Sequence, residues 1–315
     1  MTIVVLKPGF FSTIQDAGRI GQQQYGVIVS GAMDQLSYEI ANTLLNQSGT
    51  AAIEMTLVGP TLRFEVDTVI ACTGADFSPL LNDAPCPMWQ PVTVKAGSVL
   101  KCQAAKQGAR GYIAFKHGIQ VPEVLGSRST YLRAQIGGFK GRALQKGDQL
   151  PIKLHSEVPR KYSANYKSLL SFSNSVTIRI AVGTEWYSFT ENSKQTLTSI
   201  PYTVTKDADR MGYRLESHSA LERVVKEDLI SEAVTFGTIQ VPPNGQPIIL
   251  MADRQTTGGY PKIAQVIKAD LPKLAQLQPM STIHFEIVSL EEAQKIYLQQ
   301  QQQLAFMKTA LSRKE

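Results

Sequence analysis

Residues 16–21 read Asp16-Ala17-Gly18-Arg19-Ile20-Gly21, and residues 207–212 read Asp207-Ala208-Asp209-Arg210-Met211-Gly212. A second pair repeats in the same order: Thr61-Leu62 runs through an apolar stretch to Ala75-Asp76, and Thr238-Ile239 runs with equal spacing to Ala252-Asp253. Two echoes in one order favour a duplication, and with it two related halves. The apolar stretches around the echoes are short and rich in β-branched residues. Residues 66–72, 92–94, 111–115, 176–182, 247–251 and 282–288 have strand length, and turn signals such as Asn82-Asp83-Ala84-Pro85, Lys146-Gly147-Asp148 and Pro242-Pro243-Asn244-Gly245 separate them. Helical pattern is confined to residues 34–45, with Asp34 as N-cap and Asn46 closing the helix, and to a Gln-rich stretch at 291–313. The expectation is a mainly β protein of two related β-barrel subdomains, at 1–160 and 175–290, followed by a helical tail at 291–315. The polar stretch 154–175 is the natural connector. The tail's apolar pattern is untidy, and fits a surface-packed or frayed end as well as a partner-binding helix.

Composition removes several classes. A chain of 315 residues, 43% hydrophobic and 18% charged, has ample material for two cores. The balance of 32 Lys and Arg against 26 Asp and Glu gives +6, which suits anionic ligands but is too diffuse to indicate nucleic acid. No run approaches the ~20 apolar residues of a membrane span. The N-terminal apolar run stops at Lys7-Pro8-Gly9 and does not read as a secretory leader. Cys72, Cys86 and Cys102 are odd in number and widely spaced, against both a disulfide framework and a Cys-x-x-Cys zinc site, so a reducing cytoplasm is the simplest compartment. They read as buried small hydrophobes. Four scattered histidines, His117, His155, His218 and His284, make no metal pattern. No two glycines are separated by a single residue, which removes the dinucleotide G-x-G-x-x-G turn, and no Walker-type loop is present. Any nucleotide must be held by another device or by another subunit.

Four stretches gather Gly, Arg, Asp and hydroxyl residues. They are residues 13–19 with 30–34, residues 126–130 with 137–142, residues 207–214, and residues 252–261. Glycines let backbone N–H groups approach oxygens, arginine offers a fork for carboxylate or phosphate, and Gln and Thr can read an amide. Asp at a strand end can hold an arginine, orient a water or bind Mg²⁺. Each stretch also has a purely structural reading. Asp16 with Arg19, or Asp207 with Arg210, can simply pin a loop, and Gly137-Gly138 and Gly258-Gly259 can be turns requiring positive φ. Ser30, Ser127 and Ser129 lack a nucleophile elbow and an identifiable base. His117 reads as a structural histidine, and Trp89 and Trp186 as core anchors.

Read in order, these motifs resemble a known family. TIQDAGR at 13–19, SGAMD at 30–34, GADF at 74–77, VPEVLGSRST at 121–130, GGFKGRALQKGD at 137–148, DRMGYRL at 209–215 and TIQVPPNGQPIILMADRQTTGGYP at 238–261 are similar to the KipA family. That family includes the C subunit of the bacterial 5-oxoprolinase, and is also called allophanate hydrolase subunit 2 or the A and B subdomains of a biotin-dependent carboxyltransferase. The resemblance covers about residues 3 to 288 and implies cyclophilin-like β-barrel subdomains. It further implies work with a KipI-like subunit and, in the oxoprolinase form, a lactam-utilisation-like third subunit, opening 5-oxoproline to L-glutamate with hydrolysis of Mg²⁺-bound ATP. The sequence departs from the family pattern at Gly183-Thr184-Glu185-Trp186, at Lys116-His117 and at Asn82-Asp83-Ala84.

The leading expectation is thus an enzyme subunit acting on a small-molecule cyclic amide. Asp253, Gln255 and Arg128 are the candidate catalytic residues. Arg210, Arg214, Thr256, Thr257, Gly258 and Gly259 are candidates for substrate binding, with Asp16, Arg19 and Asp34 behind them; no metal ligand is expected. One alternative is carboxyl transfer to a urea-like acceptor, for which biotin would have to arrive on another protein because this chain has no Met-Lys-Met attachment site. A second is a non-catalytic antagonist that binds a KipI-like kinase inhibitor.

Overall fold

Every residue of the run Arg110–Phe115 is buried, although a strand alternates its side chains between two faces. Both faces must therefore be covered. In the computed structural model, which describes residues 1–155, 162–164, 172–224 and 229–312, two layers do this. Most of the expected connector, at 156–161 and 165–171, lies outside the described residues. The chain divides into unit 1, made of Met1–Ile20, Ser30–Phe172 and Gln303–Glu315, and unit 2, made of Gly21–Val29 and Ser173–Gln302.

Unit 1 contains β1 (Thr2–Lys7), β2 (Phe11–Gln15), α1 (Gln35–Leu44), β3 (Ala52–Thr56), β4 (Thr61–Phe64), β5 (Thr68–Gly74), β6 (Leu80–Leu81), β7 (Ala84–Pro85), β8 (Pro91–Val94), β9 (Val99–Lys101), β10 (Arg110–Phe115) and β11 (Gln149–Pro151). One sheet has the order β11-β1-β4-β9-β6-β7 and the other β2-β3-β10-β5-β8. Ile113 and Phe115 of β10 pack into a core with Ile3, Val5, Leu62 and Phe64 of the first sheet. Tyr112 and Ala114, one residue out of phase, pack instead against Leu36, Ile40 and Leu44 of α1. The helix begins where the sequence places it: Asp34 accepts from the Ser37 N–H at 2.9 Å. It ends at Asn46, whose φ of 48° is the left-handed stop that asparagine tolerates.

Unit 2 contains β12 (Ser175–Val182), α2 (Glu191–Ser199), β13 (Tyr202–Val204), β14 (Gly212–Glu216), β15 (Glu232–Ala233), β16 (Thr238–Gln240), β17 (Ile248–Leu250), β18 (Thr257–Gly258), β19 (Lys262–Val266), α3 (Leu271–Ala275), β20 (Thr282–Ile287) and α4 (Leu290–Ser312). Seven strands close into a barrel in the order β12-β19-β16-β17-β14-β13-β20. The closing contact is the parallel pair β12 and β20, in register from Ser175–Thr282 to Ile180–Ile287. Alternate residues fill the barrel, among them Ile178, Ile180, Tyr213, Leu215, Ile283 and Phe285. β15 and β18 form a separate two-stranded ribbon.

All six strands expected from the sequence form, with ends displaced by two residues or fewer, and the protein is mainly β with a C-terminal helix. Residues up to Gln302 of α4 belong to unit 2, where Ile296 and Tyr297 pack on Ile267 and Val288; Leu304 is buried in unit 1's α1 cluster. α2 was not legible. Only Ser193 and Leu197 of it are buried, so it carries no apolar stripe, and its start rests on Thr190 accepting from the Ser193 N–H at 3.2 Å. The second echo also diverges in space. β4 and β5 lie in different sheets of unit 1, whereas β16 and β17 are hydrogen-bonded neighbours in unit 2.

Candidate functional site

In unit 1 the candidate residues converge on one carboxylate. Asp16 lies at the end of β2, buried, and receives the Ser127 and Ser129 hydroxyls, the Arg128 N–H and the Gly18 N–H. Arg19, fully buried, donates from Nε to the Val124 carbonyl and from Nη2 to the Ser129 carbonyl, both at 2.9 Å. The two residues pin the loop 124–130 from one side, as the structural reading of this pair has it. Ser127 and Ser129 are committed to Asp16, which removes them as nucleophiles. SGAMD lies alongside: the Ala32 N–H donates to the Asp16 carbonyl at 2.9 Å, and a Cβ at Gly31 would strike the Gly18 backbone. Asp34 is fully buried and caps α1, so helix initiation is its role in this structure.

The glycine-rich loop 135–141 packs against the same segment. Gly137 and Gly138 have φ of 67° and 53°, and a Cβ at either would run into Ser129 or Thr130. Glycine is required there by close approach as well as by the left-handed backbone. The loop and residues 120–124 line a cavity of about 530 Å³. Arg128 reaches its edge: Nε donates to the Val121 carbonyl at 3.0 Å, and Nη1 is 3.2 Å from Glu123. Phe139, in the wall, has the Lys140 ammonium 5.3 Å and the Arg142 guanidinium 5.7 Å from its ring centroid.

In unit 2, Arg210 and Asp253 are brought together across 43 residues. The guanidinium forks onto the carboxylate at 2.8 and 2.9 Å with both side chains less than a tenth exposed, and the Asp253 N–H donates to the Arg210 carbonyl at 2.7 Å. Asp253 is thus an organiser of the 252–261 loop. Arg214 is separated from this pair by the strand pleat: it sits on β14 with Tyr213 and Leu215 turned into the barrel and its own side chain exposed, so four-residue spacing does not make it a partner of Arg210. Gln255 and Thr257 are exposed, and neither they nor Thr256 makes a side-chain hydrogen bond among the described residues. Gly258 and Gly259 are not positive-φ turns, contrary to the structural reading of the sequence; Gly258 sits on β18, where a Cβ would meet the Gln240 amide.

Some features were missed. Glu54, buried in the middle of β3, accepts from the Met33 N–H at 2.8 Å and the Tyr112 hydroxyl at 2.7 Å, and that hydroxyl accepts from the Asp34 N–H. Burial, reinforced by Glu54, pushes the Tyr112 phenol well above its ordinary range. Asp270, fully buried, takes a fork from Arg179 and a second cation from Lys273 at 2.9 Å. Neither was visible locally, because the partners lie far apart in sequence. Arg254 was passed over between two stronger signals. The remaining candidates are structural. His117 ends β10 at φ 68° with its ring edge-on to His155, and Trp89 is in the α1 core. Cys72, Cys86 and Cys102 are free and buried, and burial pushes the Cys102 thiol up to about 12 and the Cys86 thiol up to about 11. Trp186 instead sits partly exposed with the Lys194 ammonium 5.8 Å from its ring.

Among the described residues no group of three His, Cys, Asp or Glu converges to hold a metal ion, and no helix is long and apolar enough to cross a membrane. Residues 25–287 match the carboxyltransferase domain, subdomain A and B. The chain belongs to that family. It is the family the motifs pointed to. The C subunit of the Haemophilus influenzae 5-oxoprolinase is 43% identical over 290 residues, covering 90% of this chain and 91% of that one. The C subunit of the Escherichia coli 5-oxoprolinase is 40% identical over 299 residues, covering 94% of each. The crystal structure of the K. lactis urea amidolyase superposes with a TM-score of 0.90 at 31% identity, covering 97% of this chain and 20% of that chain. The carboxyltransferase unit here thus corresponds to one fifth of that larger enzyme.

Proposed function

We propose that the protein is a subunit of an ATP-dependent 5-oxoprolinase, working with a KipI-like and a lactam-utilisation-like subunit to open 5-oxoproline to L-glutamate. The observation that carries this reading is the identity of 40–43%, spread over nine-tenths or more of both chains, to proteins named as the C subunit of 5-oxoprolinase. The loops are consistent with it. A lactam carbonyl resists water, and phosphorylation of its oxygen makes the ring carbon electrophilic; the enzyme's task is then to hold carboxylate and phosphoryl charge and to position the ring. Gln255, Thr256 and Thr257 offer amide-reading groups that the protein does not itself engage, with Gly258 and Gly259 in the loop behind them. Asp253 and Arg210 fix the base of that loop, and Arg128 supplies a partly exposed cation at the unit 1 cavity. ATP would bring its Mg²⁺; among the described residues no carboxylate cluster converges on a metal site, and we assign the nucleotide and its ion to a partner subunit.

Reconstitution with the two partner subunits tests this. Oxoproline-dependent ADP release above the partner-only background is expected, and its absence would refute the assignment. Arg128→Ala should lower that release while leaving the partner complex intact, which a purely sequestering antagonist would not show. The likeness to urea amidolyase favours carboxyl transfer as the second reading, with biotin delivered on another protein. Avidin-sensitive turnover of urea in the reconstituted system would select it.

A further inference from the structure

Three buried or half-buried arginines in this protein each meet an aspartate in a fork: Arg142 on Asp148, Arg179 on Asp270 and Arg210 on Asp253, with contacts of 2.6 to 2.9 Å. Arg254 does not. Its hydrogen bonds run from Nε to the Val234 carbonyl and from Nη1 to the Met251 carbonyl, both at 3.4 Å, the outer limit for such a bond. The carboxylate next to it in sequence, Asp253, has both oxygens taken by Arg210. Among the described residues no carboxylate lies within ion-pair distance of Arg254.

Burial of this guanidinium costs stability that neutral carbonyls at 3.4 Å do not offset, and it pulls the group down to about 10. Replacing buried ionic groups with apolar ones of similar volume is often neutral or stabilising. The surroundings give this arginine a second use. Arg254 is followed directly by Gln255, Thr256 and Thr257, whose side chains donate to nothing in the described protein, while the backbone beneath is fixed by the Val234 N–H on the Thr256 carbonyl and by the Asp253–Arg210 fork. A half-buried cation, an amide and two hydroxyls therefore share one rigidly based loop.

We propose that Arg254 is the anion-binding residue of this loop, taking a small oxyanion, either a carboxylate or a phosphoryl group, with Gln255 and Thr256 as supporting donors. The inference goes beyond the oxoprolinase assignment and does not depend on the lactam as substrate. The test uses the full chain with two probes, inorganic phosphate and L-5-oxoproline, followed by thermal unfolding and titration calorimetry on the parent, Arg254→Met and Arg254→Lys. At least one probe should raise the parent's unfolding temperature saturably. A shift with phosphate alone identifies a phosphoryl site, and one with 5-oxoproline alone a carboxylate site. Arg254→Met should weaken that binding by about tenfold or more, and Arg254→Lys by less, since lysine keeps the charge without the fork. Without ligand, Arg254→Met should unfold at the parent's temperature or above it, because the variant loses a half-buried charge satisfied only by two long hydrogen bonds to neutral carbonyls. Three results would overturn the proposal: no shift of the parent by either probe, equal binding by parent and Arg254→Met, or a ligand-free Arg254→Met that unfolds several degrees early, which would mark a structural arginine. If the phosphate arm succeeds while reconstituted oxoproline-dependent ADP release fails, the anion site stands and only the substrate assignment falls.

Discussion

The two halves of the D-A-x-R echo use the same letters to opposite ends. In unit 1 the aspartate is the hub: Asp16 gathers two hydroxyls and two backbone N–H groups, and Arg19 is turned to carbonyls of the loop it holds. In unit 2 the arginine is the hub: Arg210 is forked by Asp253 from another strand end, and the echo's own Asp207 is exposed. Arginine stays buried in both places, donating to loop carbonyls at Arg19 and forking onto a carboxylate at Arg210. Sequence similarity therefore preserved a position for a buried cation and not the bonding that satisfies it.

The sharpest way to break this comparison is to remove the carboxylate on each side. Asp253→Ala leaves Arg210 buried without its fork and should cost about 3–5 kcal/mol in urea unfolding. Replacing both members, Arg210→Met with Asp253→Leu, should return most of that loss, because an apolar pair of similar volume removes the stranded charge along with its partner. Asp16→Asn should cost less, about 2–3 kcal/mol, since the amide oxygen still accepts from some of the four donors. It should not be rescued by adding Ser127→Ala and Ser129→Ala, because the Arg128 and Gly18 N–H groups cannot be deleted. Rescue of both sites, or of neither, would show that the two knots are alike after all.

The same distinction marks how far the sequence could be read. α1 was legible because its signal is local: Asp34 and Ser37 are three residues apart, and Asn46 stops the helix where it stands. Six of the strands followed from their β-branched runs and turn residues; the others, among them β1 to β4, were not read. What the sequence could not show was pairing at a distance. Asp16 meets Ser129 across 113 residues, and Arg210 meets Asp253 across 43, so the residues were recognisable and their mutual roles were not. Arg214 illustrates the converse error, since a four-residue spacing joins side chains on a helix but here falls on a loop and a strand. Glu54 hid inside the run AIEMT as an ordinary polar residue on a strand, although Tyr112 and Met33 bury it completely in bonding.

A second fork in unit 2 sharpens the comparison through pH. Burial alone would raise the Asp270 carboxyl, but Arg179 and Lys273 outweigh it and hold it below the usual carboxylate range. A carboxyl lowered in the folded state adds stability that is present above the unfolded value, near about pH 4, and is lost as pH falls through the folded one. Asp270→Asn should therefore flatten the fall in stability below about pH 4, measured by urea unfolding across the acid range. An unchanged acid slope would mean that the Arg179 fork contributes nothing to acid sensitivity.

The smallest effect comes from exchanging an echo position at which the two units differ in both residue and backbone, Gly18 against Asp209. Gly18 has φ of 101°, and the Gly31 backbone stands against it too closely to admit a Cβ on the facing residue. Asp209, at the matching place, is not in the left-handed region and instead accepts from the Met211 and Gly212 N–H groups at 2.7 and 3.1 Å. Gly18→Asp forces an L-residue into a glycine conformation and should cost about 1–3 kcal/mol. Asp209→Gly loses an exposed turn acceptor and frees the unfolded chain, for about 0.5–1 kcal/mol. The exchange is thus unequal. Were the two losses the same, the turn at Gly18 would not depend on its positive φ, and the two copies would be interchangeable at this position.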